Sequence, residues 1–390
     1  MKYAIIIPDG AADDPLPQLG GRTPLQAAHT PNMDEIARMG QLGTVRTVPE
    51  GFESGSDVAT MTLLGYDPAV YHTGRAPLEA AAQRIPLSPT DWVFRCNFVT
   101  TADGLMKDHS AGGIPDAEAR RLIDVLVRSG DMLPGFELHS GVSYRNLLVY
   151  RGGQAFDVKT KPPHEMLDES LDRWLPTGEG ADVLREMMRR SQQTLAAADA
   201  GAASQIWLWG QGHPPAMPTF AERFGVSGGA MISGVDLLRG LANLLGWGVI
   251  DVPGMTSFHD TDYAGQGVAT CAALQKFDLV LSHIESPDEA SHQADVGTKI
   301  AAIEAIDRHV VGPVLAALRQ NESWRILVLP DHPTNVATRK HGYAPTLYAM
   351  AGTGVPRGAA DAYDEIQARH GTPFAQGDRL MPAFLGVKSV

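Results

Sequence analysis

The segment KYAIIIPDG, from Lys2 to Gly10, decides the fold class. Its apolar run, Tyr3 to Ile7, is continuous rather than alternating, is rich in isoleucine and ends at a Pro-Asp-Gly turn. Strands that are buried on both faces of a parallel sheet have this pattern. Similar strands, such as FDLVLSHIES and WRILVLPDHPT, alternate with helical segments in the C-terminal half. The sequence therefore predicts an α/β fold with a doubly wound, mostly parallel sheet.

The middle of the chain has a different character. Segments such as WVFRCNFVTT and GFELHSGVSYRNLLVYRGG resemble paired strands, and IPDAEARRLIDVLVRSG resembles an amphipathic helix. This composition predicts an α+β domain inserted into the first one. We expect residues 1–75 and 205–390 to form the main domain and residues 76–204 to form the inserted domain, with hinges near its two ends.

The composition restricts the kinds of partner. The chain has 390 residues, 44% of them hydrophobic, and a formal net charge of −13. This charge disfavours nucleic acid and anionic membranes as partners but leaves a small anionic substrate possible. Cys96 and Cys271 form no metal-binding or disulfide pattern, and no apolar stretch reaches the roughly 18 residues of a membrane span. We expect a cytoplasmic protein.

Acidic residues and histidines follow the predicted strands. Asp9 follows the first strand, Asp288 and His292 follow a later one, and Asp331, His332 and His341 follow the last of the three. Asp288 and His292 are four residues apart and share a face of a helical turn, whereas neighbouring Asp331 and His332 are expected to point apart, toward different ions. Carboxylates and imidazoles without thiolates suit manganese, zinc or magnesium, and two such ions form a clamp for phosphoryl transfer.

Each of these residues also has an ordinary structural interpretation. Asp9 suits a turn, Asp288 suits a helix cap, and His341 suits an exposed surface. Their joint occurrence at successive strand ends favours metal binding.

Ser56 lies where a glycine-containing loop gives way to a helix-like run, in PEGFESGSDVATMTLLGYDP. One interpretation is a helix N-cap. The other is a nucleophile, since a neighbouring metal ion lowers the pKa of a hydroxyl and a helix N-terminus favours a phosphate placed on it. A single residue can serve both purposes.

The chain resembles the archaeal-type, cofactor-independent phosphoglycerate mutases of the alkaline phosphatase superfamily. The resemblance covers most of the chain and is carried by IIIPDGAAD, TPLQAAHTPNMDEIARMG, GSDVATMTLLGYDP, GRAPLEAAA, SPDEASHQAD, IEAIDRHVV and LPDHPT. It implies interconversion of 3- and 2-phosphoglycerate through a phosphorylated serine, with two divalent ions, often manganese, and without 2,3-bisphosphoglycerate.

The resemblance also implies roles for individual residues. Ser56 matches the nucleophile, and Asp9, Asp331 and His332 match the ligands of the ion that also contacts the serine. The ligands of the other ion match Asp288, His292 and His341. In this family the inserted domain binds the substrate's sugar-acid part.

One segment departs from the archaeal mutases. Where they carry DRRAG, this chain has KDHSAGGI, Lys107 to Ile114, with His109 and Ser110 in place of arginines. Other residues must then bind the substrate anion; the candidates are Arg75, Arg95, Lys107, Asp108, Arg145 and His164.

The same segment is similar to a bacterial group proposed to act as homoserine kinases, so phosphoryl transfer to homoserine is one alternative. No G-x-x-x-x-G-K-[ST] loop for a nucleotide is present. Hydrolysis of phosphomonoesters and a catalytically inactive metal-binding module are the others.

Overall fold

The chain divides into two compact units in the computed structural model, which describes residues 1–387. One unit comprises Met1–His72 and the chain from Met217 onward, and the other is the continuous segment Thr73–Ala216. The second boundary therefore differs from the expected one at residue 205, because the strand Gln205–Gly212 pairs with Trp92–Ala102 of the inserted unit. The last three residues of the expected 205–390 segment lie outside the described residues.

The strands are numbered in chain order. They are β1 (Lys2–Pro8), β2 (Gln41–Val45), β3 (Trp92–Ala102), β4 (Leu105–Asp108), β5 (Phe136–Val142), β6 (Arg145–Tyr150), β7 (Asp157–Lys159), β8 (Thr177–Glu179), β9 (Gln205–Gly212), β10 (Gly229–Ile232), β11 (Gly248–Val249), β12 (Leu279–Ile284), β13 (Trp324–Val328), β14 (Thr334–Asn335), β15 (Lys340–His341), β16 (Thr346–Gly352) and β17 (Thr372–Phe374).

The helices are numbered in the same way. They are α1 (Pro24–Ala27), α2 (Pro31–Met39), α3 (Ser56–Leu63), α4 (Pro68–Tyr71), α5 (Arg75–Ala82), α6 (Asp116–Ser129), α7 (Leu171–Trp174), α8 (Ala181–Ala197), α9 (Phe220–Phe224), α10 (Asp236–Leu244), α11 (Tyr263–Lys276), α12 (Ser286–His292), α13 (Val296–Ile306), α14 (Gly312–Leu318), α15 (Glu365–Ala368) and α16 (Leu380–Leu385). A π-helical turn, Asp307–Val311, joins α13 to α14, and short 3-10 turns lie at Pro17–Leu19, Pro163–Glu165 and Gly377–Arg379. Within residues 1–387, none of the helices combines the length and apolar character needed to cross a bilayer.

The first unit contains the predicted sheet. Within residues 1–387 its eight strands lie in the order β11-β10-β12-β1-β13-β16-β2-β17. Every neighbouring pair is parallel except those that involve β16, which runs antiparallel to both β13 and β2. The prediction of an α/β fold with a mostly parallel sheet is thus confirmed.

Strand β1 lies inside this sheet and is covered on both faces. Ala4 and Ile6 belong to a core with Met33 of α2 and Val314 of α14. On the opposite face, the ring of Tyr3 packs edge-on against the ring of Phe384 in α16, with 5.6 Å between the ring centroids. A continuous apolar run is required here, because neither face of the strand contacts solvent.

The second unit is built on an antiparallel sheet. Strand β3 pairs with β4, β6 and β9, and β5 pairs with β6 on the far side. Alternate side chains of β3 face different layers: Phe94, Cys96 and Phe98 share a core with α6 and α8, whereas Val93 packs against α5. Because successive side chains of a strand point to opposite faces, β3 contributes to the packing on both sides of its sheet.

A buried ion pair joins the loops that follow β1 and β13 in the first unit. Lys299 of α13 has a fully buried side chain whose Nζ lies 2.9 Å from Asp13 Oδ2. The same Nζ donates to the carbonyl oxygen of Thr334 at 2.7 Å. Burial lowers the pKa of Lys299, so the charged form depends on these acceptors.

We predict that Lys299→Met lowers the free energy of unfolding by about 3–5 kcal/mol, because it leaves the buried carboxylate of Asp13 without its cation. Urea denaturation monitored by circular dichroism measures the change. The matched control is Lys276→Met at the exposed end of α11, which should cost less than about 0.5 kcal/mol. Equal stability of the two variants would show that the ion pair contributes nothing.

Candidate active site at the carboxyl edge of the sheet

The strand order brings the predicted ligands to one edge of the sheet. Asp9 directly follows β1, Asp288 lies on α12 after β12, and Asp331 follows β13. These three strands are adjacent and parallel, so their carboxyl ends meet. His341 returns to the same edge on the hairpin of β14 and β15, where it pairs with Thr334.

Asp9, Asp331 and His332 form the first group of potential ligands. One donor atom from each lies within 4.8 Å of the others, and all three side chains are buried. His332 Nε2 is 3.6 Å from Asp9 Oδ1 and 3.5 Å from Asp331 Oδ2. Neither of these two carboxylate oxygens accepts a hydrogen bond from any described residue. Buried anionic oxygens without donors fit a bound cation.

The expectation that Asp331 and His332 point apart is wrong. Strand β13 ends at Val328, so the two residues lie in a loop where the alternation of a pleated strand does not apply. Asp331 Oδ1 accepts the backbone N–H groups of Gly10 and His332. These bonds occupy one oxygen of the carboxylate and leave Oδ2 without a donor.

Asp288, His292 and His341 form the second group. His292 Nε2 lies 3.1 Å from Asp288 Oδ2 and 3.0 Å from His341 Nε2. His341 Nε2 lies 3.4 Å from Asp288 Oδ1. Asp288, His332 and His341 also bring donor atoms within 4.8 Å of one another, so His332 joins the two groups into one centre.

Backbone carbonyls select the tautomers of the two histidines in the second group. His292 Nδ1 lies 3.0 Å from the carbonyl oxygen of Arg339, and His341 Nδ1 lies 2.9 Å from that of Ser54. A carbonyl oxygen only accepts, so both Nδ1 atoms carry protons. In the neutral rings both Nε2 lone pairs therefore face each other and Asp288. Two converging imidazole lone pairs beside a carboxylate fit a divalent ion such as zinc or manganese.

The electrostatics of the edge are dominated by its buried acids. Burial, together with the charges of Asp331 and Asp288, raises the pKa of Asp9 well above its ordinary value. Burial also acts to raise the pKa of Asp288, but hydrogen bonds from His292 and His341 outweigh it and hold that pKa well below the ordinary range. The hydrogen bond to Asp288 raises the pKa of His292 to about 9.

Ser56 lies beside the first group. Its Oγ donates to Asp9 Oδ2 at 3.1 Å and lies 3.4 Å from His332 Nε2. The N-cap interpretation is wrong, because Gly55 is the N-cap of α3 and Ser56 is already its first helical residue. The next residue, Asp57, is buried and its Oδ2 lies 2.9 Å from His72 Nε2, which anchors the first turn.

The turn after β1 requires glycine at position 10. Gly10 has a φ of +61°, and a Cβ atom there would lie 2.6 Å from both Asp288 Oδ1 and Thr334 Oγ1. An alanine would therefore be strained and would displace the side chains of Asp288 and Thr334. The Pro-Asp-Gly turn serves the site as well as the fold.

Two supporting residues were not predicted from the sequence. Thr334 Oγ1 donates to Asp288 Oδ1 at 2.5 Å and lies 3.2 Å from His332 Nδ1, so it contacts both ligand groups. His283 of β12 is fully buried, with Nε2 at 3.0 Å from Asp9 Oδ2. Both residues lie in segments quoted above, FDLVLSHIES and WRILVLPDHPT. The only signal for them in the sequence was that each lies close along the chain to a predicted ligand.

Three of the predicted substrate-binding residues in the second unit have other partners. Arg95 is buried and forms a two-point salt bridge with Glu79, at 3.0 and 2.7 Å. Lys107 Nζ lies 2.8 Å from Asp168 Oδ1. The carboxylate of Asp108 accepts hydrogen bonds within its own loop, from Ser110 and Gly112. These contacts give no support to a substrate-binding role for Arg95, Lys107 or Asp108.

The remaining candidates lie in one basic cluster of the second unit. Burial lowers the pKa of His164 to about 4, and the charges of Arg75, His109 and Arg95 act in the same direction. Burial lowers the pKa of Arg95, and the charges of Arg75 and Arg145 act in the same direction, so Arg145 lies near the same group. Arg145 forms no ion pair with an acid within residues 1–387, and its guanidinium carbon lies 5.6 Å from the ring centroid of Tyr144. The charge of Arg145 is therefore available to an anion.

We predict that His292 titrates near pH 9 in chelator-treated protein, because protonation strengthens its contact with Asp288. The folded-state pKa is raised from 6.5, so this stabilisation is complete below about pH 6.5 and is lost as the pH rises through 9. NMR titration of the imidazole signals measures the pKa. In Asp288→Asn the pKa should fall; an unchanged value would contradict the assigned contact.

Comparisons with known proteins agree with the geometry. Residues 37–200 match a family model described as 2,3-bisphosphoglycerate-independent phosphoglycerate mutase. The enzyme of that name from Methanothrix thermoacetophila is 49% identical over 381 residues, which cover 95% of this chain and 96% of the relative.

Solved structures are similar over nearly the whole chain. The PH0037 protein from Pyrococcus horikoshii has a TM-score of 0.82 at 26% identity, covering 99% of this chain and 96% of that one. The cofactor-independent phosphoglycerate mutase from Thermoplasma acidophilum has a TM-score of 0.68 at 26% identity, covering 99% of both chains. The chain therefore belongs to the family of 2,3-bisphosphoglycerate-independent phosphoglycerate mutases.

Proposed function

We propose that the protein interconverts 3-phosphoglycerate and 2-phosphoglycerate through a phosphorylated Ser56, without 2,3-bisphosphoglycerate. One observation carries the proposal: a serine hydroxyl at a helix N-terminus donates to Asp9 within a buried group of carboxylate and imidazole donors. Family membership supports the choice of reaction.

Two divalent ions complete this site. Asp9, Asp331, His332 and Ser56 would hold one, and Asp288, His292 and His341 would hold the other. Manganese suits the donor set, and magnesium or zinc would suit it as alternatives. The ions supply positive charge to the phosphoryl oxygens and lower the pKa of the serine hydroxyl.

Ser56 performs the two transfers. Its Oγ gives up its proton and forms a bond to the substrate phosphorus, while the phosphorus–oxygen ester bond breaks and the glycerate oxygen takes up that proton. The other hydroxyl of glycerate then attacks the phosphoserine, and its proton passes to Oγ as the Oγ–phosphorus bond breaks. The free N–H groups of the first turn of α3 favour the phosphate on this residue.

The basic cluster of the second unit binds the anionic part of the substrate. Arg145 and Arg75 supply charge, and His164 lies beside them, whereas His109 and Ser110 stand where the archaeal mutases carry arginines. Water must be excluded while glycerate is free, since hydrolysis of the phosphoserine would convert the mutase into a phosphatase.

A substrate panel tests this function against its alternatives. The KDHSAGGI segment favours homoserine phosphorylation as the second candidate. The purified protein is assayed with 3-phosphoglycerate, with homoserine plus ATP, and with an aryl phosphate, each with manganese, magnesium or zinc. Efficient turnover of 3-phosphoglycerate is expected. If only homoserine is phosphorylated, the protein is a kinase rather than a mutase. If only the aryl phosphate is hydrolysed, it is a phosphatase.

We predict that Ser56→Ala lowers kcat at least about 1,000-fold, because the nucleophile is lost. The melting temperature should stay close to wild type, since Ser56 is not the N-cap. Substrate labelled in its phosphate should leave label on wild-type Ser56 after acid quench. The control is Thr62→Ala, which removes a buried hydroxyl from the same helix and should keep its activity. An active Ser56→Ala protein without label would require direct transfer.

We predict that Arg145→Gln raises KM for 3-phosphoglycerate about 10- to 100-fold, the size expected when a hydrogen bond to a charged group is removed. Steady-state kinetics measures the change. Arg128→Gln, on the exposed face of α6 in the same unit, is the matched control and should leave KM unchanged. Equal KM values for both variants would exclude Arg145 from substrate binding.

A further inference from the structure

We propose that His283 is a positioning residue that holds the Asp9 carboxylate in the orientation needed for metal binding. The proposal rests on the proposed metal centre. His283 lies in the quoted segment FDLVLSHIES, but neither the predicted site residues nor the two groups of ligand atoms include it.

The two oxygens of Asp9 face different neighbours. Oδ1 lies 3.6 Å from His332 Nε2, on the side of the first ligand group. Oδ2 accepts from Ser56 at 3.1 Å and lies 3.0 Å from His283 Nε2. His283 therefore approaches the oxygen that also contacts the nucleophile and leaves Oδ1 for the ion.

A short chain of contacts determines which nitrogen of His283 carries the proton. The backbone N–H of Val235 donates to Ser233 Oγ at 3.1 Å. Ser233 Oγ lies 3.3 Å from His283 Nδ1. Because Ser233 Oγ already accepts from a backbone N–H, its own hydroxyl proton is available for donation to Nδ1 of His283. Nδ1 is then the acceptor, so the ring proton of His283 lies on Nε2.

Asp9 is the acceptor available to that proton. His283 is fully buried, and its Nε2 makes no aligned hydrogen bond within residues 1–387. A small rotation of the Asp9 carboxylate would align the close approach that already exists. A buried N–H group without an acceptor is costly, so this contact restrains the carboxylate and keeps Oδ1 directed at the ion.

The strand also offers a matched control. Ser282 precedes His283 on β12, is equally buried, and its hydroxyl makes no hydrogen bond with any described residue. Ser282→Ala therefore perturbs the same strand without touching Asp9.

Binding of Mn²⁺ to the metal-stripped full-length protein tests the proposal by calorimetry and electron paramagnetic resonance. Wild type and Ser282→Ala should bind two ions with the same affinities. In His283→Leu the affinity of one site should fall about 10- to 100-fold, the size expected for loss of an outer partner, with the other site unchanged. His283→Gln places an N–H donor near the Nε2 position and should recover most of the affinity. Ser233→Ala should give a smaller loss, because it removes only the contact that orients the proton.

The outcomes separate this proposal from the proposed function. If wild type binds fewer than two ions, the metal centre itself is wrong. If wild type binds two ions and His283→Leu binds both with unchanged affinity, the positioning role is overturned. If His283→Gln is as weak as His283→Leu, the hydrogen-bond donor is not what matters, and the positioning role is also overturned.

Discussion

Three carboxylates buried at one edge of a sheet impose the main constraint on this protein. Asp9, Asp288 and Asp331 lie at the ends of neighbouring parallel strands and out of solvent. Such charges are unfavourable unless protons, donors or cations compensate them. The protein compensates part of this cost itself, through the raised pKa of Asp9 and through the hydrogen bonds of His292 and His341 to Asp288. Divalent ions would complete it, and the positive field that they would create is what a phosphoryl group requires.

The surrounding packing keeps this edge rigid. Lys299 forms hydrogen bonds to both the loop after β1 and the loop after β13. Thr334 contacts both groups of potential ligands directly. The same short segment thus contains a ligand, a bridge between ligand groups and an acceptor for the buried lysine. The spacing of these donor atoms depends on this shared scaffold, because independent loops would let them drift apart.

The sequence predicted that these acids and histidines meet at one edge of the sheet, because topology converts order along the chain into position in space. Once the first strand is assigned to a parallel sheet, Asp9 and Asp331 must lie at the same edge. The pairing of β9 was not predictable in this way, since an apolar strand does not specify its neighbour. The salt bridge of Arg95 was not predicted, because its partner, Glu79, lies on the preceding helix and is revealed only by packing. The direction of His283 toward Asp9 likewise depends on register between β12 and β1.

The position of β1 has a consequence for biosynthesis. This first strand pairs with β12 and β13, so both of its partners are complete only when the ribosome reaches Val328. At about 5–20 residues per second, the apolar run Tyr3 to Ile7 waits roughly 15 to 65 s before it can be paired on both sides. The second unit is continuous and closes its own sheet once Gly212 has emerged. Nascent chains should therefore carry a folded inserted unit beside an unpaired, aggregation-prone N-terminal strand, which makes that strand a natural client for a ribosome-associated chaperone.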